Sequence, residues 1–419
     1  MNEYVTRQGW QALPLKYAVS YNDEVLSETT PPESEFTYVE ISDVSSDAGI
    51  RRAGVTSFAE APSRARRVLR GGDVLVSTVR TYLRAIAAVE DVGSLMVAST
   101  GFAVLRATEV TVSRFLKYVC LSEPFVAEVV GRSTGVSYPA INATDLVRIK
   151  IPVPTRVDQL AIADFLDRET AKIDALIGKQ EQLIATLRED RIATIIHAVT
   201  KGLDPNAEMK DSGVEWLGEI PAHWRVEKGT WIGKTFGSES VSEDSIWEDD
   251  GGTEGVPFLK VSSLQSGSLE TLPYAWFVSR AIKHERDFLA FPKRGAAIFG
   301  NKVNLVRGPG VLDPNLMGWR IMNDNKPEYF AYTLQMIRLE EIADVSTVPQ
   351  INTKHVAGLR LPRPPGTEQV RIVAHIEKYC AKIDALITKS EQMIGVLREY
   401  RSALITDAVT GRIDVRGAA

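Results

Sequence analysis

The sequence has few of the residues that build disulfide scaffolds or membrane spans. Its 419 residues include two cysteines, Cys120 and Cys380, which lie far apart in the chain. This excludes a disulfide-rich secreted scaffold and fits a reducing compartment, so we expect a cytoplasmic protein. The sequence contains no run of about 18 apolar residues, so we expect no membrane span. The first ten residues lack the apolar segment of a secretory signal.

The motifs of common catalytic and cofactor sites are also missing. The sequence has no G-x-x-x-x-G-K-[ST] phosphate loop, no G-x-G-x-x-G dinucleotide motif and no G-x-S-x-G nucleophile elbow. Its five histidines are scattered and have no partner at metal-ligand spacing. These motifs therefore support no catalytic, cofactor or metal site, and a catalytic site of unfamiliar type is the alternative.

What the chain does contain is an ordinary globular composition, with 44% apolar and 25% charged residues and a formal net charge of −5. Its length favours two to three domains. The overall acidity gives no sign of nucleic-acid binding, so the distribution of charge is more informative than its total.

A long internal repeat organises the chain. Residues 171–177 and 381–387 both read AKIDALI, and at this offset of 210 residues Gln159–Asp204 aligns with Gln369–Asp414 at about half identity. Repeats are sought first because they decide the whole architecture. The same offset pairs two further short segments, and Trp10 and Trp224 open the two copies. These segments are Pro139–Asn142 with Pro349–Asn352, and Ile151-Pro152 with Leu361-Pro362.

The repeated segments are predicted to be long helices. Apolar residues recur at spacings of three and four, which indicates a coiled-coil seam. Thr155 and Thr367 are predicted N-caps, and Gly202 and Gly411 are predicted ends. The second helix can bury its seam on the first only by running antiparallel, although a helix pair inside one large domain is the alternative. The predicted seam residues are Ile173, Leu176, Leu183 and Leu187, repeated as Ile383, Leu386, Met393 and Leu397.

Strand patterns and short helical patterns fill the segments between the repeats. We predict an α+β fold with two globular α/β domains, lobe 1 and lobe 2, joined by a long antiparallel two-helix coiled coil with pseudo-two-fold internal repetition. The predicted limits are 1–152 for lobe 1, 153–202 for the first helix, 203–218 for a linker, 219–362 for lobe 2 and 363–411 for the second helix.

Charge is segregated within each lobe. Residues 51–84 contain eight arginines and two acids, and residues 280–307 contain seven bases and two acids. Aligning Gly72 with Gly295, at the start of the predicted strands 72–77 and 295–299, also aligns Arg84 with Arg307. Matched basic stretches predict a phosphate-binding surface on each lobe, and a solvated charged face is the alternative.

Polar and basic loops follow these strands, and a second pair of loops precedes the long helices. Arginine and asparagine side chains on such loops can bind base edges. The candidate DNA-binding residues are Arg51, Arg52, Arg80, Tyr82, Arg84, Arg132, Ser133, Tyr138, Lys260, Asn301, Lys302, Asn304, Arg307, Thr347, Gln350 and Asn352.

These motifs together resemble the specificity (S) subunits of type I restriction-modification enzymes. Met209–Trp224, MKDSGVEWLGEIPAHW, is similar to the usual start of their target-recognition domains. INATDLVRIKIPVP from Ile141 and INTKHVAGLRLPRP from Ile351 are similar to the ends of those domains. The AKIDALI helices are similar to the two repeated regions. Lobe 1 departs from the pattern, because Gly9-Trp10 stands where the longer starting motif would be.

The resemblance implies a function for each part. Each lobe would read one half of a bipartite double-stranded DNA site, and the paired helices would set the spacer. The chain itself would not be an enzyme and would have no catalytic residues, cofactor or metal. Two modification (M) subunits would dock on the chain and carry S-adenosylmethionine for adenine methylation. Two restriction (R) subunits would add cleavage that requires ATP and Mg²⁺. A scaffold that binds proteins and not DNA is the alternative, and a stand-alone methyltransferase or nuclease is a third hypothesis.

Overall fold

The described residues of the computed structural model are 10–47, 49–51, 53–90, 93–238, 241–248, 255–344 and 347–415. The chain divides into two compact units. Unit 1 comprises Met1–Glu181 and Ser390–Ala419, and unit 2 comprises Gln182–Lys389. Within the described ranges, no helix is both long and apolar enough to cross a membrane.

Unit 1 combines lobe 1 with part of each long helix. Its strands are β1 (Gln11–Pro14), β2 (Val19–Tyr21), β3 (Glu35–Val39), β4 (Val44–Ser45), β5 (Gly49–Ile50), β6 (Gly54–Ser57), β7 (Ala65–Leu69), β8 (Val74–Ser77), β9 (Ile86–Ala88), β10 (Met96–Ser99), β11 (Phe102–Ala107) and β12 (Lys150–Val153). Its helices are α1 (Ser113–Leu121), α2 (Glu123–Arg132), α3 (Ala143–Leu146) and the first part of α4 (Arg156–Lys201).

Two four-stranded sheets form the body of lobe 1. Their strand orders are β6-β3-β10-β7 and β2-β11-β8-β9, and most neighbours are antiparallel. β1 pairs with β12, which brings the start of the lobe beside its end. The largest core of unit 1 joins α1 and α2 to both long helices, because Phe115, Ile162, Leu166 and Val409 belong to one buried cluster.

Unit 2 repeats this plan with a single larger sheet. Its strands are β13 (Met209–Asp211), β14 (Glu219–Pro221), β15 (Arg225–Lys228), β16 (Gly233–Phe236), β17 (Ile246–Glu248), β18 (Val256–Leu259), β19 (Trp276–Val278), β20 (Glu285–Pro292), β21 (Asn304–Leu312), β22 (Leu316–Ile321) and β23 (Arg360–Arg363). Its helices are α5 (Gly229–Ile232), α6 (Pro327–Ile337), α7 (Thr353–Gly358) and the first part of α8 (Gly366–Thr410).

The seven-stranded sheet of lobe 2 has the order β16-β22-β20-β21-β18-β19-β17. The pairing of β15 with β23 matches that of β1 with β12, so Trp10 and Trp224 each directly precede a strand that pairs with the last strand of their lobe. The strand predicted over 295–299 is wrong, since Gly295–Gly300 is a 3-10 turn. β20 already fills that place in the sheet, and the turn carries the chain on to β21.

The two long helices are confirmed, and they begin and end at local signals. Thr155 caps α4, because its Oγ1 accepts a hydrogen bond from Asp158 N at 3.2 Å. Both helices end at a glycine in the left-handed conformation, Gly202 (φ +77°) and Gly411 (φ +72°), where a side chain would be strained. The predicted N-cap at Thr367 is wrong, because α8 already begins at Gly366.

The helices pair antiparallel within each unit, through a seam that contains half of the predicted residues. In unit 1, Arg401 lies 3.0 Å from Asp174, and Arg398, earlier in α8, lies 3.6 Å from Glu181, later in α4. The buried residues are Ile173 and Ile184 of α4 and Ile383 and Ile394 of α8, whereas four predicted seam residues are exposed. These four are Leu176, Leu183, Leu386 and Met393. The other four predicted residues, Ile173, Leu187, Ile383 and Leu397, are buried or half-buried, so the seam prediction is wrong only at the four exposed positions.

The predicted fold class is confirmed. Each lobe is an α+β domain, and the two domains are linked by long helices with coiled-coil periodicity. The buried isoleucines recur at matching positions of α4 and α8, 210 residues apart, so the sequence repeat is also a structural repeat.

Candidate nucleic-acid interface

The two loops predicted separately in lobe 1 meet to form one surface. Arg80 N donates a 2.8 Å hydrogen bond to Pro139 O, and Val79 forms a β-bridge with Ala140. The hydroxyls of Thr81 and Ser133 lie 2.7 Å apart. These bonds join residues 78–84 to residues 131–140, so we define them together as loop pair 1.

An ordered cationic side chain lies on loop pair 1. The Arg80 guanidinium lies 4.5 Å from the centre of the Tyr138 ring, and both side chains are exposed. A cavity of about 590 Å³ adjoins them, and Arg64 and Glu40 also line it. The Arg64–Glu40 ion pair spans 2.6 Å. The surface therefore presents cations beside an apolar ring, a combination suited to phosphates and bases.

Lobe 2 has a matching surface. Gly295 N donates to Pro349 O at 2.9 Å, and Arg294 forms a β-bridge with Gln350. Asp344 also bridges to Gln350, as Thr134 bridges to Ala140 in lobe 1. Residues 293–302 and 344–352 are therefore joined in the same way as loop pair 1, and we define their described residues as loop pair 2.

The structure corrects the predicted equivalence between the basic stretches. Gly295 corresponds to Arg80, because each follows its strand, has a positive φ (73° and 51°), and bonds to the matched proline. Gly72 instead precedes β8, so aligning it with Gly295 was wrong. Arg307 lies within β21 and is not the counterpart of Arg84.

Several predicted cations are paired with acids of their own lobe. Arg84 donates to Glu123 at 3.0 Å, and this hydrogen bond lowers the pKa of the Glu123 carboxyl. Arg132 and Arg307 each bind a glutamate as well, at 2.8 Å and 3.2 Å respectively. The glutamates partly compensate the positive charge of these three arginines, so Arg80 is a stronger candidate than they are for a phosphate contact. Arg51 is exposed, and Arg52 lies outside the described residues.

Three predicted base-binding asparagines have structural roles, and we correct those assignments. Asn304 is fully buried, and its amide binds the backbone of Gln265, Ser268 and Glu270. Asn301 donates to Gln335 O and accepts from Leu339 N. Asn352 caps α7 by accepting from Lys354 N at 2.9 Å. Their amide groups hold the local backbone, so they are not positioned to read bases.

The remaining candidates lie on the loop pairs, except Lys260. Lys260 Nζ lies 3.5 Å from the centre of the Trp276 ring, directly after β18. Lys302 is half-buried next to the turn, and Thr347 is exposed in loop pair 2. Gln350 contributes its backbone to both bridges. Tyr82 is exposed on the 3-10 turn Thr81–Leu83, and Ser133 anchors that turn.

Sequence reasoning missed Lys293 and Arg294 as candidate site residues. Both lie in loop pair 2, and Lys293 N donates to Asn315 O at 2.8 Å, as Thr78 N donates to Gly101 O in lobe 1. Burial, and secondarily the charge of Arg294, lowers the pKa of Lys293. The repeat of Pro139 as Pro349 could have identified these residues. The backbone oxygen of each proline accepts a hydrogen bond from the loop that follows a strand, so it marks where that strand ends.

A metal centre finds no support in the described ranges, where no cluster of three or more histidine, cysteine, aspartate or glutamate side chains could hold an ion.

Comparison with known proteins places the sequence beside one group. No family model matches the chain. It is 25% identical over 293 residues to the MjaX type I restriction enzyme specificity subunit of Methanocaldococcus jannaschii, covering 67% of this chain and 63% of that protein. It is 21% identical over 331 residues to the EcoKI specificity subunit of Escherichia coli, covering 74% and 68% respectively.

Solved structures agree in fold. A chain from a study of complex assembly and conformational transition in a type I restriction-modification system matches with a TM-score of 0.78 and 23% identity, covering 97% of this chain and 99% of that one. The HsdS subunit of Thermoanaerobacter tengcongensis matches with a TM-score of 0.55 and 22% identity, covering 97% and 98%. The resemblance predicted from the motifs is thus confirmed, and the chain is a relative of the specificity subunits of type I restriction enzymes.

Proposed function

We propose that the chain is the DNA-specificity subunit of a type I restriction-modification complex. Each lobe reads one half of a bipartite DNA site through its loop pair, and the paired helices set the spacing of the halves. The observation that carries this proposal is the recurrence of the same hydrogen-bonded loop pair, with cations at its centre, in both lobes. Relatives named as specificity subunits support it over a scaffold that binds only proteins.

The chemistry belongs to partner subunits in this proposal, and the chain itself is not an enzyme. Two M subunits carry S-adenosylmethionine, two R subunits use ATP and Mg²⁺, and the complex works in the cytoplasm. The exposed apolar residues of α4 and α8 are the proposed docking surface for the M subunits. They include Leu176, Leu386 and Met393, which the helix seam leaves uncovered. Apolar surface of this kind is typical of protein interfaces.

The proposal is tested by DNA binding of the complex formed with the M subunits. We expect Arg80→Ala and Lys302→Ala each to weaken binding and to lower the salt dependence by about one counterion, since each removes a phosphate contact. Arg286→Ala is the matched control, and Arg70→Ala is a second control for a cation paired with an acid, since Arg70 binds Glu24. Arg70 precedes β8, and Arg286 lies at the start of β20. Both residues are at the strand ends away from the loop pairs.

Unchanged affinity and salt dependence for both Arg80→Ala and Lys302→Ala would contradict the proposal. Equal losses in the controls would also contradict it, because the binding surface would then not be the loop pairs.

A further inference from the structure

Each loop pair carries, on its 3-10 turn, an exposed aromatic ring beside a buried neighbour. In lobe 2, Phe299 is 60% exposed although Ile298, the residue before it, is fully buried. In lobe 1, Tyr82 is 53% exposed and follows Thr81, which is 3% exposed. Both rings lie on the 3-10 turns that connect β8 to β9 and β20 to β21.

The two rings occupy the same position when counted from the end of their turns. Arg84 N donates to Thr81 O at 3.1 Å, and Asn301 N donates to Ile298 O at 3.0 Å. Arg84 and Asn301 both adopt left-handed conformations, with φ of 52° and 44°. Each ring therefore lies two residues before the left-handed residue that ends its turn. The equivalence rests on backbone geometry and not on sequence identity.

The turns are fixed to the body of each lobe. In lobe 2 the Asn301 side chain binds Gln335 O at 2.6 Å and Leu339 N at 3.0 Å. In lobe 1 the Thr81 hydroxyl contacts Ser133. A left-handed non-glycine residue costs about 1 kcal/mol or more, and such strain tends to persist at functional sites. The exposed rings are thus held outward by structure that opposes their burial.

Cationic residues lie close to both rings along the chain. Lys293, Arg294 and Lys302 flank Phe299 along the chain, and Arg80 lies two residues before Tyr82. Single exposed apolar residues are common and need no explanation. An aromatic ring at the same place in two diverged lobes, each time among cations, does need one. Cations bind the phosphates of a nucleic acid, and a ring among them can contact the faces or apolar edges of its bases.

We propose that Tyr82 and Phe299 are equivalent base-contacting residues, each packing its ring against bases of the half-site that its lobe binds. This inference rests on the proposed function and adds to it a contact that is apolar. Because a ring carries no charge, its contact releases no counterion, whereas a lysine contact with phosphate does. The two kinds of contact can therefore be separated by salt.

The experiment uses the complex of the full chain with its M subunits. The probe is a duplex with the sequence that this complex methylates in cells. We expect Phe299→Ala to weaken binding about 5- to 100-fold, the range for loss of one stacked base, with an unchanged salt slope. Phe299→Trp should retain affinity, because it keeps a ring. Tyr82→Ala should behave like Phe299→Ala, again with an unchanged salt slope.

Two variants provide references. Lys302→Ala should weaken binding and reduce the salt slope by about one. Trp231→Ala should bind like the unchanged chain, although Trp231 is 71% exposed, because it lies on α5 and lines a separate cavity with Lys228 and Arg363. If Phe299→Ala prevents assembly of the complex, Phe299→Leu keeps apolar volume without a ring and should show the same loss.

The outcomes separate the inference from the proposed function. Normal binding by Phe299→Ala and Tyr82→Ala, together with weakened binding by Lys302→Ala, would overturn the inference and leave the DNA-reading role intact. A reduced salt slope for Phe299→Ala, or an equal loss with Trp231→Ala, would also overturn it. Normal binding by Lys302→Ala and Arg80→Ala would instead refute the proposed function.

Discussion

Two ion pairs between α4 and α8 should differ in strength although the repeat relates them. In unit 1, Arg401 Nε lies 3.0 Å from Asp174 Oδ1, and the arginine side chain is 11% exposed. In unit 2, Arg191 Nε lies 3.9 Å from Asp384 Oδ1, and that aspartate is 61% exposed. Each residue of the first pair lies 210 positions from its counterpart in the second, so the two pairs form a natural comparison.

The expected magnitudes follow from distance and hydration. At an effective dielectric constant of about 20, unit charges 3 Å apart attract by roughly 5 kcal/mol before desolvation is subtracted. Removing Arg401 from water offsets most of this gain, and its Nε donates no hydrogen bond among the described residues. We therefore expect a net coupling of about 1–2 kcal/mol for Arg401 with Asp174. For Arg191 with Asp384 we expect about 0.5 kcal/mol or less, because the atoms are 3.9 Å apart and the aspartate is largely hydrated, although the arginine side chain is 23% exposed.

Double-mutant cycles measure these couplings. Arg401→Met and Asp174→Ala are made singly and together, and the free energy of unfolding is obtained from the urea-induced loss of helical circular dichroism. The same cycle is made for Arg191 and Asp384. The cycle is essential for Arg191, because its guanidinium also donates to Gly267 O at 2.5 Å, so a single substitution removes two interactions. Equal couplings, or a larger one for Arg191 with Asp384, would refute the reasoning from burial and distance.

Three further predictions concern stability. Asn304→Ala should cost about 2–4 kcal/mol of unfolding free energy, because it leaves buried backbone groups unsatisfied, and a urea titration that shows no loss would contradict this. Ile173→Ala should cost about 2–4 kcal/mol in the same assay, whereas Leu176→Ala should cost below about 1 kcal/mol, and equal costs would restore Leu176 to the seam, as expected from sequence. The hydrogen bond from Arg84 lowers the pKa of Glu123. This bond therefore adds to the free energy of unfolding above the unfolded-state pKa of about 4.3, and its contribution to stability is lost as the pH falls below that value. Glu123→Gln should therefore reduce the loss of stability in acid, as measured by unfolding at several pH values.

The long helices were predictable because several signals agreed, but the phase of their seam was not. Ile173, Leu176 and Ile177 all offer apolar side chains, so spacings of three and four fit two adjacent stripes equally well. The structure buries Ile173 and half-buries Ile177, and leaves Leu176 47% exposed. Packing against the partner helix makes this choice, and one helix's periodicity carries no information about it.

The loop surfaces were predicted from charge, whereas the roles of individual side chains were not. An asparagine can bind a base or hold its own backbone, and its position in the sequence does not distinguish the two. Asn304 lies where β21 begins, and its amide is used up by residues 265–270, which no local pattern links to it. Phe299 was overlooked because Ala296–Phe299 reads as a short apolar strand. Only the left-handed Asn301 reveals that this segment is a turn.

The repeat separates backbone, which the lobes share, from side chains, which they do not. After β3, Glu40 N donates to Asp43 Oδ2 at 2.8 Å, and after β18, Lys260 N donates to Ser263 Oγ at 3.2 Å, so the two residues begin equivalent 3-10 turns. β3 and β18 also each have a parallel neighbour, β10 and β21. Yet one position carries a carboxylate that binds Arg64, and the other an ammonium group over Trp276.

This difference in charge matters for specificity. A carboxylate accepts hydrogen bonds and an ammonium group donates them, so the same backbone would present opposite chemistry to DNA in the two lobes. Under the proposed function, Lys260→Glu in the M-containing complex should change the bases preferred in one half-site and leave the other half unchanged. Sequencing of methylated adenines in cells that carry the variant measures both halves at once. A change in both halves, or a uniform loss of methylation with no change of sequence, would contradict the assignment of Lys260 to base reading.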